Sequence, residues 1–89
     1  MKEKLTKEEY EDVKQLVEFA LDAQNKEEAK KYIGKIQSYG FNLYGNAKNI
    51  FEELICYLKN ASGRVADKEK RVFSAKTTLY KLGNYGVRK

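Results

Sequence analysis

The stretch LYGNAKNIFEELICYL, residues 43–58, constrains the chain more than any other part of it. On a helix at about 100° per residue, Tyr57, Ile50, Leu43, Leu54, Ala47, Leu58, Phe51, Tyr44 and Ile55 spread over roughly 160° of the circumference. A helix resting on a protein surface needs a narrower stripe. This one has to touch more than one neighbour, so other helices must be arranged around it. A homodimer is the other way to cover so wide an arc, with the acidic first helix of one chain meeting the basic end of another.

The remaining sequence supplies those helices. Proline is absent, strand-like alternation is missing, and Ala, Leu, Glu, Lys and Gln fill the polar positions. Thr6 with Glu9 forms a capping box, and Leu5 with Tyr10 stands at the spacing of a hydrophobic staple. The first helix then buries Tyr10, Val13, Leu16, Val17, Ala20, Leu21 and Ala23, with Phe19 on the edge. Asn25 with Glu28 repeats the capping pattern after a very tight turn, so the second helix packs antiparallel to the first along Ala29, Tyr32, Ile33, Ile36 and Tyr39. Gly40 suits a left-handed cap. The third helix starts at Asn42 or, if Gly45 breaks it, at Asn46, and ends before the Ser62-Gly63 turn. The fourth turns Val65, Val72, Ala75, Leu79 and Leu82 to the core. These signals predict an all-α antiparallel four-helix bundle over roughly 7–23, 26–39, 42–60 and 65–82. It forms a single domain, 1–89, with a short basic tail at 83–89.

Composition excludes more functions than it suggests. There is no His and one cysteine, Cys56, so a metal centre, imidazole chemistry and an intramolecular disulfide have almost nothing to work with. Cys56 falls on the polar side of the third helix with Asn49 and Glu52, without an activating base. The six glycines form no phosphate-binding fingerprint. The acids Glu8, Glu9, Glu11 and Asp12 suit the start of a helix dipole. The reading is a binder and not an enzyme, without cofactor. It has no membrane span and no secretory signal and is placed in the cytoplasm.

Charge points to where it binds. Residues 1–25 carry four Lys against seven acids, residues 26–60 six against four, and residues 61–89 eight Lys or Arg against two, for a net +5. From Lys70 to Lys89 there are six Lys or Arg and no acid. The last helix also carries a second stripe, Ala66, Phe73 and Tyr80, repeating every seven residues beside Lys76 and Thr77. Phe73, Lys76, Tyr80, Lys81, Tyr85, Arg88 and Lys89 are the candidate partner-binding residues, provided that Phe73 and Tyr80 lie outside the core. The basic third also suits phosphate contacts. The stretch SAKTTLYKLGNYG resembles the recognition helix of helix-turn-helix proteins, although Phe73 stands where that motif has its turn glycine. Nucleic acid is the alternative partner.

A second resemblance spans the whole chain in layout. KEEAKKYIGKIQSYG as second helix, NAKNIFEELICYLKNASG as third with its glycine turn, and DKEKRVFSAKTTLYKLGNYG as fourth with its tail look like the small immunity proteins against pediocin-like (class IIa) bacteriocins. That resemblance implies a four-helix bundle and a non-enzymatic inhibitor. It implies a membrane-embedded permease complex as the partner, approached from the cytoplasm, with specificity carried by the last helix and tail.

Overall fold

The computed structural model describes residues 3–63 and 65–88. Four helices form: α1 (Lys7–Asp22), α2 (Lys26–Gly40), α3 (Gly45–Ala61) and α4 (Lys68–Tyr85). The capping box closes as expected at α1. The Thr6 hydroxyl accepts from the Glu9 N–H at 3.1 Å, and the Glu9 carboxylate accepts from the Thr6 N–H at 3.0 Å. At α2 the Asn25 side chain accepts from the Glu28 N–H at 2.8 Å, while the Glu28 carboxylate reaches back to the Gln24 N–H at 3.4 Å. Both caps satisfy amides that the first turn leaves without partners.

The chain folds as two antiparallel hairpins, α1 on α2 and α3 on α4, each packed more extensively within itself than against the other. α3 touches all three other helices, as its wide apolar arc requires, whereas α2 and α4 stand diagonally and do not meet. Ala47, Ile50, Phe51, Leu54, Ile55, Leu58 and Ala61 are buried on α3. Val13, Val17 and Ala20 on α1, Ile33 and Ile36 on α2, and Ala75, Leu79 and Leu82 on α4 surround them. The arc is therefore satisfied within one chain, with no dimer needed to cover it. The radius of gyration, 12.2 Å, matches the roughly 12 Å of a compact chain this long.

Several boundaries differ from the sequence expectation. α3 starts at Gly45, with Tyr44 rather than Asn42 or Asn46 as its N-cap and no side-chain cap bond. Tyr44 is extended at φ −145°, outside the helical repeat, and so is exposed instead of joining the core. Gly40 closes α2 without a left-handed cap. Its role is steric: a Cβ there would stand 2.4 Å from the Phe51 ring. α4 starts three residues later than predicted, after Asp67 takes the left-handed conformation, and leaves Val65 and Ala66 in the turn. It also runs through Gly83 to Tyr85. A Cβ on Gly83 would meet the Tyr10 hydroxyl at 2.6 Å, so this glycine lets α1 and α4 approach and does not end the helix.

The tail is held down. The Leu5 N–H donates to the Gly86 carbonyl and the Arg88 N–H to the Leu5 carbonyl, both at 2.8 Å, joining Leu5 and Val87 in a parallel bridge. Leu5 is fully buried and Val87 nearly so. Among the described residues no helix is long and apolar enough to cross a membrane.

Candidate partner-binding surface

α4 divides its residues between two sides. Ala75, Leu79 and Leu82 enter the core, and Thr78 joins them with its hydroxyl donating to the Ser74 carbonyl at 2.9 Å. On the opposite side Phe73, Thr77, Tyr80 and Asn84 fall within about 60° of each other at the α-helical repeat. Phe73 and Tyr80 are each 71 % exposed. The stripe read from the sequence is thus a surface feature, shorter by Ala66, which sits in the preceding turn. Lys70 and Lys81 flank it on one side and Lys76 on the other, all three exposed.

Not all of the basic charge is available to a partner. Lys68 Nζ donates to the Ala61 and Gly63 carbonyls, and Arg71 donates to the Asn60 carbonyl at 3.2 Å and the Ala66 carbonyl at 2.9 Å. These cations neutralise the carbonyl end of α3, where the helix dipole favours positive charge. They explain part of the C-terminal excess structurally. Lys76 lines an open depression of about 410 Å³ with Glu18, Leu21, Asp22, Lys68 and Val72, so acidic α1 and basic α4 do meet along one edge.

The remaining candidates separate. Tyr85 is 63 % exposed but projects some 120–140° around α4 from the Phe73–Tyr80 line, on the side toward α3. Arg88 is exposed beyond the end of α4, its backbone fixed by Leu5. Lys89 lies outside the described residues. Two exposed aromatics were missed: Phe41, 75 % exposed, and Tyr44, 47 % exposed, in the α2–α3 turn. Periodicity cannot place residues where the helix stops, and only the neighbouring Gly40 and Gly45 hinted at a break. Phe19 sits on the edge expected for it, its ring 5.5 Å from that of Tyr32.

An open depression of about 950 Å³ lies between the α1–α2 and α3–α4 turns, with the Asp22 carboxylate and the Lys68 amine among the described residues of its wall. Cys56 is exposed, with the Asn60 amide at 3.9 Å from its sulfur. Among the described residues no group of three or more Cys, Asp or Glu could hold a metal ion. Two tyrosines have perturbed titrations. Burial, then Glu11, raises Tyr10, whose hydroxyl donates to the Leu79 carbonyl at 3.0 Å. Burial, then Asp12, raises Tyr39, whose hydroxyl donates to that carboxylate at 3.2 Å. Both phenols tie helices together.

Comparison with known protein families, curated proteins and solved structures finds no match to this chain.

Proposed function

We propose that this chain is a non-enzymatic binding protein that acts by protein–protein contact through the outward side of α4 and the residues after it. The observation that carries this reading is the pair Phe73 and Tyr80, one heptad apart, each 71 % exposed, on a helix that buries its core through other residues. Large aromatics in solvent are the usual anchors of protein interfaces. Lys70, Lys76 and Lys81 around them favour an acidic partner surface. The resemblance in layout to bacteriocin immunity proteins makes a small cytoplasmic inhibitor of a membrane-embedded complex the specific form of this reading.

The test is protection. A sensitive bacterium expressing the chain is challenged with pediocin-like bacteriocins, beside one expressing the Phe73→Ala/Tyr80→Ala double variant. The expected result is survival with the wild type and loss of protection with the double variant, whose helical signal and melting stay unchanged. Equal survival with both chains would remove α4 from the mechanism. No protection by either would remove the immunity reading.

Nucleic acid is the second reading, supported by the absence of acids from Lys70 to Arg88. Neutralising four phosphates predicts a fall in affinity of about a hundredfold between 50 and 200 mM salt. Titration of random duplex and single-stranded oligonucleotides at both concentrations separates the readings. A steep salt slope favours nucleic acid, and no binding at low salt leaves α4 to a protein.

A further inference from the structure

We propose that a second copy of this chain covers the face formed by α1 and α4, with α1 of each copy lying antiparallel along α4 of the other. The twofold axis runs parallel to the helices. This goes beyond the partner reading, and if that reading holds, partner and second copy compete for the same side of α4.

The face carries both halves of a complement side by side. On its α1 half, Glu11, Gln15, Glu18 and Asp22 fall within about 60° on the side turned away from the core. On its α4 half are Phe73, Tyr80 and Lys76, with Lys70 and Lys81 on the outer flank. Lys7 and Lys14 on α1 and Glu69 on α4 are the exceptions in sign. Among the described residues none of Glu11, Glu18, Asp22, Lys70, Lys76 and Lys81 takes part in an ion pair. The charges are set out within one face and left unpaired among the described residues.

The seam between the two helices is thin. At one end the Tyr10 hydroxyl rests on the Leu79 carbonyl above Gly83, and at the other lies the depression walled by Glu18, Leu21, Asp22, Lys68, Val72 and Lys76. These contacts also set the heights of the residues. Tyr10 is level with Leu79 to Gly83, so Glu11 is level with Tyr80, and Glu18 with Phe73. A twofold axis along the seam keeps those heights and exchanges the helices. It sets Glu11 and Glu18 of the second copy beside Tyr80 and Phe73, with Lys76 between the two carboxylates and Lys81 over the start of the neighbouring α1.

An isologous interface requires a surface that is its own complement under a twofold. An unrelated acidic partner would explain the basic, aromatic α4 but not the acidic ridge beside it. The rings supply the anchor, since they can shed most of their exposed surface against the facing helix. The charges set register and orientation and make the association sensitive to salt.

The experiment is sedimentation of the full chain from about 1 to 300 µM at 50 and 300 mM salt, with two charge-swapped chains. Glu11→Lys/Glu18→Lys makes both halves of the face basic, and Lys76→Glu/Lys81→Glu makes both acidic. The wild type is expected to dimerise at low salt and to weaken at least tenfold at high salt. Each swapped chain by itself is expected to be monomeric, and their equimolar mixture is expected to form a dimer again. Helical circular dichroism checks that each chain is folded. Should a swapped chain fail to fold, Glu18→Gln and Lys76→Gln remove the attraction without repulsion, and each should weaken the dimer about fivefold or more. A wild type that stays monomeric at 300 µM in 50 mM salt overturns the proposal, as do swapped chains that dimerise by themselves or a mixture that stays monomeric. Because only the pure chain is used, none of these outcomes depends on whether a foreign partner exists.

Discussion

α3 and α4 carry similar patterns and meet opposite fates. Each has apolar residues over more of its circumference than one packing partner can cover. α3 lies against all three other helices, and Leu54 and Leu58 keep no accessible surface at all. α4 packs along α3, touches α1 lightly and never reaches α2, so its second stripe has nothing to lie against. A helix between three neighbours converts a wide arc into core. A helix at the corner leaves the same excess in water. Apolar excess is thus a statement about packing on α3 and about exposure on α4.

Removing a side chain from the central helix should cost most. Leu54→Ala leaves a cavity in the middle of the bundle and should lower stability by about 3 kcal/mol, read as a shift in the urea midpoint. A loss well under about 1 kcal/mol would mean that α3 is not the centre of the core.

A pair of glycines on α2 probes the same distinction with opposite signs. A Cβ at Gly40 meets the ring of buried Phe51 at 2.4 Å, so Gly40→Ala should destabilise by about 1–3 kcal/mol. At Gly34 a Cβ meets nothing within 4 Å, and Gly34→Ala should stabilise by about 0.5–1 kcal/mol by removing the entropy of a mid-helix glycine. Thermal melts of the two variants should move in opposite directions.

The α1–α4 seam gives a pH signature. Burial, then Glu11, raises the Tyr10 pKa above its ordinary value near 10, so above that pH the unfolded chain gives up this proton before the folded one does. The contribution is fully present below pH 10 and is lost as pH rises through the folded value. Tyr39, raised by burial and Asp12, acts in the same direction. Stability measured from pH 9 to 11 should fall, and Tyr10→Phe should flatten the slope.

The smallest effect on stability belongs to the outer stripe. Phe73→Ala and Tyr80→Ala should each change it by no more than about 0.5 kcal/mol, in contrast to Leu54→Ala. Loss of cooperative melting in the double variant would make these rings part of the core and erase the difference between α3 and α4.

The arrangement of helices was legible because it depends on local rules. The Thr6–Glu9 and Asn25–Glu28 caps, the positive φ at Gly63 and the 3.6-residue stripes of Val13, Val17, Ala20 and Ile33, Ile36 are decided within a few residues of chain. The candidate site was legible as far as the Phe73–Tyr80 period and the run of lysines. Its exposure was not, since a corner helix and a central helix share one pattern. Nor could sequence show that Lys68 and Arg71 serve the end of α3, that Tyr85 points away from the stripe, or that Phe41 and Tyr44 stand in solvent.

By itself, then, the amino-acid order determined four amphipathic helices, their order and the need for one of them to be central, because backbone capping and side-chain periodicity are short-range. Only the tertiary structure decided which apolar residues were left over. It also decided that Gly40 ends α2 as a point of close approach to Phe51, that Gly83 is a point of close approach rather than a helix end, and that the tail is pinned by Leu5 instead of trailing free. Those outcomes depend on what lies across the gap, and residues as distant in sequence as Tyr10 and Gly83 meet only once the bundle has closed.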